Sequence, residues 1–219
     1  MMPRTKATPK NIRFAVIATD VVIFTTQDGK LKVLLIPIHS PHFKNSYGFP
    51  GGMILPHETA DDSVARHMKA KAGVSSPSYM EQLYAFSAIE RDPRGRVVSV
   101  AYIAIVPSQK TGTIKPGARW IEARKLPKLA YDHNAIFSKA IERLAERVAA
   151  STIARHFLPD LFTLTELQRA HEIALERPLD KRNFRKKLLA LKFFAPAGKV
   201  KRGGRSRPTR CTWTTRTLR

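Results

Sequence analysis

The early apolar runs of the chain are rich in β-branched residues, whereas the later ones have helical spacing. Residues 14–25 form one β-rich run, and residues 31–38 repeat it after the turn signal Asp28-Gly29, which predicts a β-hairpin. A loop rich in glycine and proline leads to residues 59–72, where the composition predicts a helix. Strand-like runs at 83–89 and 97–106 flank a turn signal. The first half is therefore predicted to be mixed α and β.

After Leu126 the chain is predicted to be mainly helical. Asp132 is the expected N-cap of an amphipathic helix that runs to about residue 150. Thr163 and Glu166 have the spacing of a capping box, so a second helix is expected to begin at residue 164 and to end by residue 178. Asp180 caps a third, basic helix, and residues 209–215 alternate like a strand that can close a hairpin.

The charge of the chain is concentrated at its C-terminal end. The formal net charge is +22, and residues 177–219 hold 15 basic residues against the single acidic Asp180. Such a field attracts polyanions, and its focus at one end favours nucleic acid over a membrane surface or an acidic protein. The lone Cys211 cannot form an internal disulfide, and no apolar run is long enough to span a membrane. We expect no membrane partner and a cytoplasmic, nucleoid-associated protein.

A helix, a tight turn, a basic helix and a glycine-rich basic hairpin follow one another in the order of a winged helix-turn-helix. Arg182 and Arg185 are suited to guanine edges, and Asn183 is suited to adenine. The predicted DNA contacts are Lys181, Arg182, Asn183, Arg185 and Lys186 on the helix, and Lys201, Arg202, Arg205 and Arg207 in the wing. A solvated basic face and RNA binding are the alternatives, although no aromatic stacking motif for single-stranded RNA is present.

Residues 51–74 resemble the Nudix box without a gap. The matching positions are Gly52, Glu58, Arg66, Met68, Gly73 and Val74. In Nudix hydrolases, three glutamates of this box bind magnesium, and here those positions hold His67, Ala70 and Lys71. Imidazole, methyl and ammonium groups are poor ligands for a hard cation, so the resemblance implies a domain without the usual metal or catalytic residues. Glu58 and Arg66 are expected to form an ion pair.

A Nudix-like domain before a winged helix is similar to the NrtR family of Nudix-related transcriptional regulators. Residues 92–102, 129–133, 162–167 and 177–188 carry this resemblance. It implies an α+β fold with a mixed-sheet α/β/α sandwich and a small winged helix-turn-helix domain. The expected segments are a basic tail at 1–11, an effector-sensing domain at 12–150 and a DNA-binding domain at 151–219.

The resemblance also implies a homodimeric repressor of NAD-metabolism genes that binds a palindromic double-stranded operator and is released by ADP-ribose or a related nucleotide. Some relatives control sugar use instead. No cofactor is expected beyond this effector. The candidate phosphate contacts in the effector pocket are Arg66, Lys71, Arg94 and Arg96, and the candidate base platforms are Tyr47 and Phe49.

Several other interpretations stay open from the sequence. Lys71, a fixed cation at a metal-ligand position, raises the hypothesis that the pocket holds a diphosphate without magnesium. Asp132-His133 is read as a helix start rather than a catalytic pair. The competing functions are an active Nudix hydrolase of nucleoside diphosphate derivatives with a nucleic-acid-docking tail, and a nonspecific RNA or nucleoid protein.

Overall fold

The computed structural model describes residues 15–111, 114–150, 153–190, 194–196 and 210–213, and for Leu189 and the last two segments it describes only the backbone. The predicted tail at 1–11 and the predicted wing contacts lie outside the described residues. Those wing contacts are Lys201, Arg202, Arg205 and Arg207.

The first domain is built on a mixed sheet whose described strands number seven. They are β1 (Val16–Gln27), β2 (Lys30–Ile38), β3 (Ser46–Gly48), β4 (Gly51–Met53), β5 (Tyr79–Phe86), β6 (Val97–Ile105) and β7 (Arg119–Glu122). The order is β3-β2-β1-β6-β5, with β4 paired to β1 and β7 paired to β2. Among these described strands, β1 and β6 are the pair that runs parallel.

The predicted first hairpin is confirmed, since β1 and β2 pair antiparallel around Asp28-Gly29. Both turn residues have positive φ, 55° and 72°, as the favoured two-residue hairpin turns require. Glycine meets this requirement without strain, and aspartate is among the residues that tolerate it best.

Two helices cover the two faces of this sheet. Helix α1 (Ala60–His67) begins with a capping box of Thr59 and Asp62 and continues into a wider π-helical turn, Met68–Ala72, which ends at Gly73 with φ 80°. Its buried Val64 and Met68 pack on one face, and α2 (His133–Ala150) packs on the other. The predicted α/β/α sandwich is thus confirmed.

The second domain contains the predicted helix pair and a small sheet. Its elements are β8 (Phe162–Thr163), α3 (Leu164–Leu175), α4 (Lys181–Ala190), β9 (Phe194–Pro196) and β10 (Arg210–Trp213). The capping box of Thr163 and Glu166 is present at the start of α3. Before α4, the Asp180 carboxylate accepts a hydrogen bond from the backbone N–H of Asn183, 2.7 Å away. Strand β10, which contains Cys211, pairs with both β8 and β9.

One hydrophobic core runs through both domains. It begins at the sheet with residues such as Phe24, continues through Leu144 on α2 and Phe157 in the connecting turn, and reaches Leu167 on α3 and Leu188 on α4. Because buried side chains pack densely, the sheet and the helices of the second domain are connected by continuous contacts through this core.

Two sequence expectations need correction. The strand predicted at 83–89 is β5 at Tyr79–Phe86, because a bulge between Gln82 and Tyr84 sets its register with β6, and the exposed Ile89 instead begins a 3₁₀ turn that ends at the buried Arg91. The helix after Asp132 is present, but both carboxylate oxygens of Asp132 accept hydrogen bonds from Arg91, at 2.8 and 3.0 Å, rather than serving the helix start alone. No described helix is long and apolar enough to cross a membrane.

Candidate functional site

An open cleft of about 930 Å³ lies at the end of the sheet where β1 begins. The loop into β4, the C-terminal part of α1 with its π-helical turn, residues 91–97 and the segment that enters α2 form its walls. The walls of the cleft carry five basic side chains, namely Arg66, Lys71, Arg94, Arg96 and Lys115.

Glu58 and Arg66 form the predicted ion pair at the edge of the cleft. Arg66 Nε donates to Glu58 Oε2 at 2.8 Å, and Arg66 also donates to the Met53 carbonyl oxygen at 3.1 Å. The hydrogen bonds from Arg66 are the main reason that the pKa of Glu58 falls to about 2. Arg66 therefore ties the β4 loop to α1 while part of its guanidinium remains on the cleft wall.

The three positions that would carry metal-binding glutamates lie together on this wall. Lys71 donates a hydrogen bond to the Gly51 carbonyl oxygen, and burial lowers its pKa, as do Arg66 and Arg94, although Asp20 opposes them. His67 is 5% exposed, and burial, followed by the charge of Lys71, lowers its pKa. No group of three histidine, cysteine or acidic residues among the described residues could hold a metal. This donor set does not fit magnesium.

The opposite wall carries Arg94 and Arg96. Arg94 makes two hydrogen bonds to the Asp92 carboxylate, at 2.9 and 2.7 Å, and its guanidinium lies 5.5 Å from the centre of the Tyr131 ring. These bonds are the main cause of the lowered pKa of Asp92. Arg96 donates to the Ser87 and Ala88 carbonyl oxygens, so both cations are held at fixed places on the cleft.

A buried ionic network forms the floor. Asp20 accepts a hydrogen bond from Ser99 Oγ at 2.6 Å, and it lies 3.4 Å from Arg91 and 3.5 Å from His133 Nε2. Burial opposes the charge on Asp20, but His133, Ser99 and Arg91 outweigh it and hold the pKa at about 2. Because His133 Nδ1 accepts from the Phe49 amide, its Nε2 carries the proton that faces Asp20.

Sequence reasoning missed this network. Asp20 stands out in the sequence only as a charge within an apolar strand, and nothing in the sequence indicates its distant partners. The expectation that Asp132-His133 starts a helix is correct, yet His133 is also a buried cleft residue.

The two candidate base platforms lie in different places. Phe49 borders the cleft, although it is 1% exposed and stacks on His133 with ring centres 5.4 Å apart. Tyr47 packs against Arg119 and is not among the described residues that line the cleft. Tyr131, which the sequence did not suggest, does line it.

The basic helix α4 presents most of its predicted contacts to solvent. Lys181, Arg182, Asn183 and Lys186 are exposed. Arg185 is half-buried, since it donates to Thr165 Oγ1 at 3.3 Å, and its Nε has no hydrogen-bond partner in the part of the chain that the structure describes. Phe184 and His171 pack edge to face between the helices.

The fold and the two sites together define a Nudix-type domain joined to a winged helix-turn-helix domain. A model of the NUDIX domain matches residues 16–144, and a model of the NrtR DNA-binding winged helix domain matches residues 154–211. The chain belongs to the NrtR family.

Proteins similar to this chain include a relative in Acinetobacter baylyi and a solved structure from Shewanella oneidensis. The Acinetobacter protein, an ADPR-responsive transcriptional repressor, is 31% identical over 180 residues, which cover 79% of this chain and 72% of that protein. Shewanella NrtR in complex with a 27mer DNA is 31% identical with a TM-score of 0.77, and the match covers 90% of this chain and 92% of that one. The NUDIX domain of Shewanella NrtR in complex with ADP ribose is 32% identical with a TM-score of 0.54, and the match covers 64% of this chain and 94% of that one.

Proposed function

We propose that this protein is a transcriptional repressor that binds operator DNA through α4 and releases it when ADP-ribose or a related nucleotide enters the cleft. The observation that carries the proposal is the position of the basic α4 on a winged-helix domain that shares one core with the cleft domain. The relatives that respond to ADPR or bind DNA support it. We further propose a homodimer on a palindromic operator near genes of NAD metabolism.

The cleft suits a nucleotide diphosphate in size and charge. Its volume lies in the range of small-molecule sites, and cations stand on two facing walls, Arg66 and Lys71 on one and Arg94 and Arg96 on the other. We assign the phosphates to the space between these walls. Phe49 and Tyr131 are the aromatic candidates for the base, and Tyr47 is the weaker one because Arg119 packs against its ring.

We also propose that the domain binds its effector without magnesium and does not hydrolyse it. A lysine about 4 Å from a dication is repelled by about 2 kcal/mol even at the dielectric of water. Lys71, anchored on the Gly51 carbonyl oxygen, instead supplies positive charge directly to the phosphates. Ordinary turnover of ADP-ribose in a magnesium-dependent assay would support the alternative, an active hydrolase with a docking tail.

The Lys71→Glu variant is expected to bind ADP-ribose at least about tenfold more weakly than the wild type in buffer with EDTA. The substitution replaces an attractive charge by a repulsive one, and about 1.4 kcal/mol corresponds to a tenfold change in affinity. Isothermal titration calorimetry measures this difference. Lys69→Glu makes the same charge change at an exposed neighbour that does not line the described cleft, and it should bind like the wild type. Equal affinities for wild type and Lys71→Glu would show that Lys71 does not contribute to binding of ADP-ribose.

The experiment that tests the function is a gel shift with the DNA upstream of the protein's own gene, with and without ADP-ribose. We expect a complex that ADP-ribose dissociates and that random duplex of the same length does not compete away. A complex that is indifferent to ADP-ribose would refute effector control. Equal competition by random duplex or by RNA would favour the nonspecific alternative.

A further inference from the structure

The turn before α4 is held against the first domain by an ion pair. Arg124 Nε lies 2.7 Å from Glu176 Oε1, and the same guanidinium donates to the Glu176 carbonyl oxygen at 3.3 Å. Glu176 is the left-handed residue that ends α3, with φ 52°, and α4 begins at Lys181. The segment that follows β7 is therefore fixed beside the N-terminal end of the recognition helix.

Exposed cations surround this contact. Arg124, Lys125 and Lys128, which we call the basic ridge, are all exposed, and Arg177 is exposed next to Glu176 on the other side of the contact. Lys125 lies 3.4 Å from Glu122, whereas Lys128 and Arg177 have no ion pair within the described ranges. The ridge thus presents amine and guanidinium groups to solvent at the boundary between the domains.

The nearby acidic groups do not cancel this charge. Two carboxylates face the ridge, and both are already paired, Glu122 with Lys30 as well as Lys125, and Glu176 with Arg124. The four exposed cations, Arg124, Lys125, Lys128 and Arg177, therefore stand against these two carboxylates. By contrast, residues 15–176 as a whole hold 20 basic and 16 acidic residues. The ratio of basic to acidic residues around the ridge is therefore higher than the average over this part of the chain.

We propose that the basic ridge of the Nudix-type domain binds the DNA phosphate backbone beside the groove that α4 enters, a contact that rests on the proposed function. The N-terminal end of a recognition helix lies in the major groove, which is about 12 Å wide. The five residues from Glu176 to Lys181 span at most about 17 Å, so phosphates at the edge of the groove come within reach of the ridge. Such contacts position the protein and carry no sequence information.

The double variant Lys125→Gln/Lys128→Gln tests the ridge, with Arg124 left in place to preserve the contact with Glu176. We expect it to weaken binding to the upstream duplex and to a random duplex by the same factor. Losing two phosphate contacts should also reduce the ratio of the affinities at 50 and 200 mM salt about tenfold, since each contact adds about 0.9 to the salt slope. Fluorescence anisotropy titrations over this salt range measure both effects.

The matched control is Lys44→Gln/Lys139→Gln, which removes two exposed lysines away from the ridge, one of them also in an ion pair with a glutamate three residues on. It should bind DNA like the wild type, and thermal unfolding should show both double variants folded. If the ridge variant keeps the wild-type salt slope, or loses no more affinity than the control, the ridge does not contact DNA even though the protein does. If the wild type binds no duplex, both the ridge and the proposed function fail.

Discussion

Replacing Arg182 and Lys186 together by alanine is expected to weaken binding to the operator about a hundredfold, because a bidentate arginine contact to guanine contributes about 1 to 3 kcal/mol and a phosphate contact adds to it. The two residues are four apart on α4, so they share a face, and both are exposed. Neither has an ion pair within the described part of the chain. Gel shift and anisotropy titrations at fixed salt measure the loss.

The structure separates Arg185 from this pair. Its side chain is half-buried against Thr165 at the start of α3, so Arg185→Ala should affect the packing of the two helices as well as DNA binding. We therefore expect Arg182→Ala to lose more of the discrimination against altered operator bases than Arg185→Ala does. The exposed pair Lys44→Ala/Lys139→Ala serves as the charge control. Wild-type affinity in Arg182→Ala/Lys186→Ala would mean that α4 does not enter the groove.

The features that the sequence predicted correctly are those whose signals are local. The hairpin follows from Asp28-Gly29, where two adjacent residues adopt positive φ, and α3 follows from a capping box only four residues long. The box of residues 51–74 is also contiguous, so the exchange of glutamates for His67, Ala70 and Lys71 is visible without coordinates. The structure places these three residues on one wall of the cleft, as expected from their alignment with the box.

The floor of the cleft could not be predicted because its parts come together only through the sheet topology. Asp20 is separated from Arg91 and Ser99 by 71 and 79 positions in the sequence, and they come into contact because β1 and β6 pair in parallel at the centre of the sheet. Likewise, Arg185 could be assigned to a basic helix from the sequence, but its rotation toward α3 depends on how the two helices pack. The one sequence signal at Asp20 was the presence of a charged residue within an apolar strand.

The ionic network on the floor of the cleft also contacts the start of α2. Arg91 bridges Asp20 on β1 to Asp132, and His133, beside it, is the first residue of α2. The other end of α2 shares the core that extends through Phe157 to α3. A series of buried contacts therefore connects the floor of the cleft to the helix pair, and the contribution of the ionic network to it can be tested through stability.

The Asp20→Ala variant is expected to lose about 3 to 5 kcal/mol of the free energy of unfolding at pH 7, because removing one partner of a buried ion pair leaves the others uncompensated. Arg91, only 3% exposed, would retain Asp132 alone, and Ser99 and His133 would lose the carboxylate beside them. Chemical denaturation followed by circular dichroism measures this loss. Asp28→Asn, at the exposed turn of the same hairpin, removes a surface pair with Lys32 while keeping a side chain that tolerates positive φ, and it should cost less than about 1 kcal/mol.

The dependence of stability on pH tests the role of the Asp20 carboxylate independently. The pKa of Asp20 is lowered to about 2 in the folded protein, so its contribution is fully present above the unfolded value near 3.8 and is lost as the pH falls through 2. A shift of this size corresponds to about 2 kcal/mol, and it should appear as falling stability between pH 4 and pH 2. Asp20→Asn cannot titrate, so its stability should fall less steeply than that of the wild type over this window. Parallel curves for the two proteins, together with a cost below 1 kcal/mol for Asp20→Ala, would show that the floor network does not hold the cleft together.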